Sequence, residues 1–215
     1  MTAVIAAALL AASAPGEAAA DAFSAATGSE APVIAENATA AEILAACRQM
    51  MPEKVTVRGH INRRSRHGTE VAAYGYVLTR SADETSLVMT DKSGKEVPFE
   101  KGGRLLDTDV TWSDLSMDFI WWNDVEFDGG GDAESGHGFL CKVIVVRNGP
   151  RAVKLWVDRR SGAILQAREI SGEKVVREIF CTSLKKFGDR WAPRNIEVGP
   201  PGAKYRTKIV VEDVE

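Results

Sequence analysis

The sequence predicts an α+β chain that is mostly β: a strongly curved antiparallel sheet, an unclosed β-barrel, with helices covering the concave hydrophobic face. Three observations carry this. Strand-like segments follow one another at roughly ten-residue spacing from Val55 to Val214, with turn residues between them. Within several of them apolar and polar residues alternate, so one face meets water and the other meets something apolar. Two amphipathic helical segments, one before the strands and one among them, supply the cover that such a sheet needs.

The elements read in order. Ala3 to Ala14 is an apolar run, and Ala18-Ala19-Ala20 before Asp21 offers a cleavage site of the small-residue type. Residues 1–20 therefore read as a secretory signal peptide, without the usual leading Lys or Arg, and the run is too short to cross a bilayer as a helix. Residues 21–36 are rich in Ala, Ser, Gly and Glu and read as a disordered linker. A single domain follows over 37–215. It opens with a helix: Thr39 and Glu42 form a capping box, Ile43, Leu44, Cys47, Met50 and Met51 give an apolar face, and Pro52 ends it.

Val55 to Asn62 and Glu70 to Arg80 are predicted strands, the second with Tyr74, Tyr76 and Leu78 on one face. Ser86 to Thr90 and Glu96 to Phe99 read as a hairpin around Asp91-Lys92-Ser93-Gly94. Thr111 to Trp122, TWSDLSMDFIWW, interrupts the β pattern. There Trp112, Leu115, Phe119 and Trp122 recur at i, i+3, i+7 and i+10, which predicts a helix of about three turns with an aromatic stripe. Its bland reading is a permanent plug in a sheet core; its functional reading is a lid over an apolar cavity. Six further strands follow: Phe139 to Arg147, Ala152 to Asp158, Ala163 to Ile170, Lys174 to Leu184, Trp191 to Val198, and Tyr205 to Val214. Alternation places Val153, Leu155 and Val157 on one face of their strand, and Ile209 and Val211 on one face of the last.

Composition excludes some functions. The 215 residues carry 27 Lys and Arg against 30 Asp and Glu, a formal net charge of −3. No basic face suits nucleic acid, and the cluster Arg63-Arg64-Ser65-Arg66-His67 reads as a solvated hairpin tip. There is no G-x-S-x-G elbow and no P-loop or dinucleotide glycine pattern, and His60, His67 and His137 are scattered. Cys47, Cys141 and Cys181 contain no C-x-x-C pair, and Cys141 with Cys181 could form a disulfide in an exported protein. Leu44-Ala45-Ala46-Cys47 resembles a lipidation box, but Glu36, Asn37 and Glu42 stand where an apolar run is required. Asp124, Glu126, Asp128 and Asp132, with Gly129, partly imitate a calcium loop; Ser135 occupies the position of the bidentate Glu, so a flexible acidic insertion is the better reading. Asp107, Asp109, Asp114 and Asp118 flank the aromatic segment, as caps and solubilising groups or, less simply, as acid–base pairs. No metal and no cofactor is expected.

Taken in order, Arg58-Gly59, Asp114-Leu115-Ser116 before Phe119, Gly138-Phe139-Leu140-Cys141-Lys142-Val143, Leu155-Trp156-Val157-Asp158, Gly162-Ala163-Ile164-Leu165 with Arg168-Glu169, and Trp191-Ala192-Pro193-Arg194-Asn195-Ile196-Glu197 form a pattern. Over about residues 40–215 it resembles the outer-membrane lipoprotein-sorting proteins of the LolA/LolB-like periplasmic carrier superfamily. The resemblance implies an unclosed barrel around a hydrophobic cavity and a monomeric periplasmic protein that binds acyl chains of lipids or lipoproteins without chemistry. Its further partners would be an inner-membrane release complex or an outer-membrane acceptor. On this reading Trp112, Leu115, Phe119 and Trp122 line the cavity mouth, and Val153, Leu155, Val157, Ile209 and Val211 form the floor. Two other readings stand beside it: a periplasmic sensor or interaction module whose groove takes a protein segment, and a hydrolase using the carboxylates near the lid.

Overall fold

The computed structural model describes residues 34–215 except 66, 82, 83, 130–132, 137, 138, 160, 161, 189 and 205, with backbone alone at 133–136, 139, 184, 190 and 191. The predicted signal peptide, most of the predicted linker, His137, Asp132 and the tips of several predicted turns lie outside the described residues.

Helix α1, Ala40–Gln49, forms where the capping box predicts it. The Glu42 carboxylate accepts from the Thr39 N–H at 2.7 Å and from its hydroxyl at 2.8 Å, while the Glu42 N–H donates back to the Thr39 hydroxyl at 3.2 Å. Ile43, Leu44 and Cys47 are buried beneath it.

The β-strands are β1 Val55–Arg64, β2 Glu70–Arg80, β3 Thr85–Thr90, β4 Asp124–Phe127, β5 Ala133–Gly136, β6 Phe139–Asn148, β7 Arg151–Asp158, β8 Ile164–Ser171, β9 Lys174–Phe187, β10 Arg190–Gly199 and β11 Thr207–Val214. They form one antiparallel sheet in the order β3-β2-β1-β11-β10-β9-β8-β7-β6-β4, with β5 also paired to β6. The sheet is not closed. Neighbours in sequence pair within β1–β3 and within β5–β11, and two further features set the topology. The last strand pairs with the first, Ile61 opposite Ile209, and the connection from β3 to β4 runs from one edge of the sheet to the other. That connection carries the aromatic segment across the concave face, so chain topology alone makes residues 91–123 the cover.

Curvature has a local cause. The β1–β11 register shifts between Arg58 and Gly59, and a Cβ at Gly59 would stand 1.9 Å from the Val210 carbonyl oxygen and 2.9 Å from the Tyr76 hydroxyl. Only glycine lets the backbones meet this closely at a bulge.

Three expectations about secondary structure need correction. Glu96 to Phe99 is not a strand: the pairing ends after one bridge, Thr90 to Glu96. Asp124 to Phe127 is not part of a flexible loop but the edge strand β4, with Val125 opposite Val146 on β6. Its alternation of exposed Asp124 and Glu126 with half-buried Val125 and Phe127 is a strand pattern, and Glu126 pairs with Arg147, Asp128 with Lys154. The extended backbone of Asp124–Phe127 is not that of a calcium loop, and Glu126 and Asp128 already have basic partners. The third correction concerns the aromatic segment, described below. The three cysteines are buried and form no disulfide. Cys141 on β6 and Cys181 on β9 are separated by two intervening strands, about 14 Å by strand spacing and out of bonding reach.

Candidate functional site

The predicted three-turn helix is two pieces. Helix α2, Trp112–Ser116, ends at Met117, whose φ of 52° is left-handed, and a 3-10 turn, Asp118–Trp121, follows. The break lets the chain bend over the sheet while keeping most of the stripe pointed inward. Arg48 of α1 fastens the second piece: its Nε donates to the Ile120 carbonyl at 2.7 Å and its Nη2 to the Trp122 carbonyl at 2.8 Å. These are carbonyls that a short turn leaves unsatisfied.

Beneath α2 and the turn lies an apolar cavity with a free volume of about 80 Å³. Leu115, Met117 and Phe119 roof it. Its floor crosses the sheet through Leu78 on β2, Val57 on β1, Ile209 and Val211 on β11, Ile196 on β10 and Ile179 on β9. The volume is well below the roughly 300–1,000 Å³ of pockets that hold a whole small molecule. The slot is nearly shut, and a long chain fits it only if the roof moves.

The sequence-predicted residues divide. Leu115, Phe119, Ile209 and Val211 meet around this cavity. Trp112 lies to one side, stacked on Phe99 with ring centroids 6.5 Å apart and with Lys101 Nζ 4.5 Å from its ring. Trp122 is buried and carries the Arg151 guanidinium 4.9 Å from its ring centroid. Val153, Leu155 and Val157 are buried in the same continuous core as Phe119 but do not line the slot. Sequence reasoning missed Val55, Val57, Ile179, Ala192 and Ile196 as lining residues. The signal was present for the first two, since Val55, Val57 and Ile61 alternate with polar neighbours.

Two charged residues, Asp114 and Arg80, line the otherwise apolar site. Asp114, in the first turn of α2, has a side chain only 1% exposed. Its Oδ2 accepts from the Thr111 N–H at 2.7 Å and from Arg177 Nη1 at 2.9 Å. Arg177, on β9, also meets Glu169 at 2.8 Å. Burial raises the Asp114 carboxyl above its ordinary value, and Arg177 is the chief influence pulling it back. As a cap Asp114 does what the sequence predicts, closing a box with Thr111; as a solubilising group it is corrected, since it is buried and anchors the cover to the sheet. The other flanking carboxylates each have their own partner, Asp107 with the Tyr74 hydroxyl, Asp109 with the Thr207 hydroxyl, and Asp118 with the Ser113 hydroxyl. Each of the four carboxylates is thus engaged by a hydroxyl and, for Asp114, also by a guanidinium. Among the described residues no cluster of His, Cys, Asp and Glu could hold a metal ion.

No family model and no curated protein matches the sequence. Solved structures do match the fold. A LolA superfamily protein from Nitrosomonas europaea superposes with a TM-score of 0.62 at 13% identity, over 83% of this chain and 93% of that one. The chain has the LolA-like fold. A putative outer membrane lipoprotein-sorting protein domain from Vibrio parahaemolyticus gives a TM-score of 0.60 at 11% identity, over 82% and 91% of the two chains. A DUF1329 family protein from Desulfovibrio piger gives 0.57 at 12%, with the same coverages. The unclosed antiparallel sheet is thus the LolA-like one, and among the described residues no helix is long and apolar enough to cross a membrane.

Proposed function

We propose that this chain is a carrier that holds acyl chains, of lipids or of lipoproteins, in the apolar slot beneath α2 and the 3-10 turn. The observation that carries the proposal is the slot itself, roofed by Leu115, Met117 and Phe119 and floored by five strands of aliphatic side chains. The LolA-like fold, and the naming of one structural neighbour as a lipoprotein-sorting domain, support the same reading. So does the signal-like N-terminus, which would deliver the chain to the periplasm. Binding would need no bond-making chemistry. Each methylene taken from water contributes roughly 0.8 kcal/mol, so six of them supply about 5 kcal/mol toward lifting the cover and extracting the chain.

Phe119 is the sharpest test, because it is 2% exposed and belongs to the roof rather than the sheet. Phe119→Asp is expected to abolish uptake of a fluorescent fatty acid while the far-ultraviolet circular dichroism of the sheet persists. A folded variant with unchanged fatty-acid affinity would contradict the assignment.

A further inference from the structure

The slot has a charged end. Val55, Arg80 and Thr85 stand abreast on β1, β2 and β3, and all three line the cavity. Arg80 Nη1 is buried and has no hydrogen-bond partner. Its guanidinium carbon lies 4.9 Å from the ring centroid of Trp121, and Arg48 approaches the same ring at 5.7 Å. The Arg48 hydrogen bonds go to two backbone carbonyls and to Asn123, all neutral. Among the described residues neither guanidinium has a carboxylate partner. Other arginines around the site do: Arg177 has Asp114 and Glu169, while Arg168 and Arg206 share Glu178.

Two cations thus sit against one indole at the rim of an apolar slot, one of them with a buried donor left over. Like charges this close repel, and a buried donor without a partner is costly. Burial alone already holds the Arg80 guanidinium below its ordinary value. An anion would satisfy the free Nη1 and relieve the repulsion between the two guanidiniums.

We propose that the acyl chain taken by this slot ends in an anionic group, a carboxylate or a phosphate, held by Arg80 with Arg48 adding to the positive field. The tail runs from β2 across β1, β11 and β10 to β9, four strand spacings or about 19 Å. The proposal rests on the carrier reading and adds the chemistry of the headgroup.

The test is equilibrium dialysis of the full chain against two matched pairs: hexadecanoate with its methyl ester, and hexadecanoyl lysophosphatidate with monohexadecanoylglycerol. In each pair the tail is the same and the charge differs. The expected result is about tenfold tighter binding of the charged member in at least one pair, and the pair with the larger ratio names carboxylate or phosphate. Arg80→Gln should remove that preference, weakening the charged member far more than the neutral one. Equal binding of charged and neutral members by the wild-type protein would overturn the headgroup proposal and leave the carrier reading standing. A loss in R80Q that is equal for both members would overturn it too. Binding of none of the four would overturn both. The wild-type ratio needs no variant to fold, and its decrease on raising the salt concentration is the second expected sign.

Discussion

Arg177→Ala is expected to lower the unfolding free energy by about 3–5 kcal/mol, a fall in Tm of roughly 6–20 °C for a chain of this size. The reason is the asymmetry of a buried ion pair. Arg177 and Asp114 are 9% and 1% exposed at their side chains, so deleting the cation leaves a carboxylate in an apolar cavity with only Thr111 to stabilise it. Glu169 loses its closer partner as well and retains Arg151 at 3.9 Å. The pH dependence gives a second signature. In the folded protein the Asp114 carboxyl titrates above its unfolded value of 3.8. Its contribution to stability is therefore full below pH 3.8 and is lost as pH rises through the folded value. Without Arg177 the folded value climbs further and the loss deepens. The deficit of the variant should be smallest in acid and widest near neutrality. Urea unfolding across that range checks both size and slope. A deficit below about 1 kcal/mol, or one independent of pH, would mean that the pair does not anchor the cover.

Ala192→Phe should reduce acyl-chain binding at least tenfold with a stability change of no more than about 1–3 kcal/mol, the usual range for overpacking. Ala192 is 2% exposed, lies on β10 and lines the slot. A benzyl group there fills space that is only about 80 Å³ to begin with. No charge is buried, so lost binding cannot be ascribed to a polar group in the core. Fatty-acid titration followed by intrinsic tryptophan fluorescence is the measurement. Unchanged affinity in a folded A192F protein would place the ligand elsewhere.

The fold was legible where local chemistry and burial agree. The T-x-x-E box at Thr39 specifies its own hydrogen bonds, and α1 begins there. The strands from β6 to β11 carry turn residues between alternating segments, and a meander is the shortest way to join them. The failures are physical too. Periodicity across Thr111 to Trp122 reports which residues are buried, and Phe119 and Trp122 are buried. It does not report a backbone that turns left-handed at Met117, because nothing in that side chain favours φ of 52°. At Asp124 to Phe127 acidic composition obscured a four-residue strand whose alternation was in plain view. Asp114 was placed at the surface because charge is usually solvated; its partner lies 63 positions later in sequence, and no local pattern reveals such a pair. That the slot lies away from Val153 has a related reason. Alternation identifies an inward face but not which inward faces lie beneath the cover, and that depends on the path of residues 91–123 across the sheet.

The central claim is that the slot holds an acyl chain. Its most direct test is native mass spectrometry of residues 21–215, purified without detergent from an exporting host, with lipid extraction in parallel. The account predicts a species carrying one phospholipid, fatty acid or lipoprotein acyl mass, and the same lipid in the extract. A bare mass that takes up no added fatty acid would contradict it: α2 and the 3-10 turn would then be a permanent plug, and a protein-binding role for the sheet would take the carrier's place.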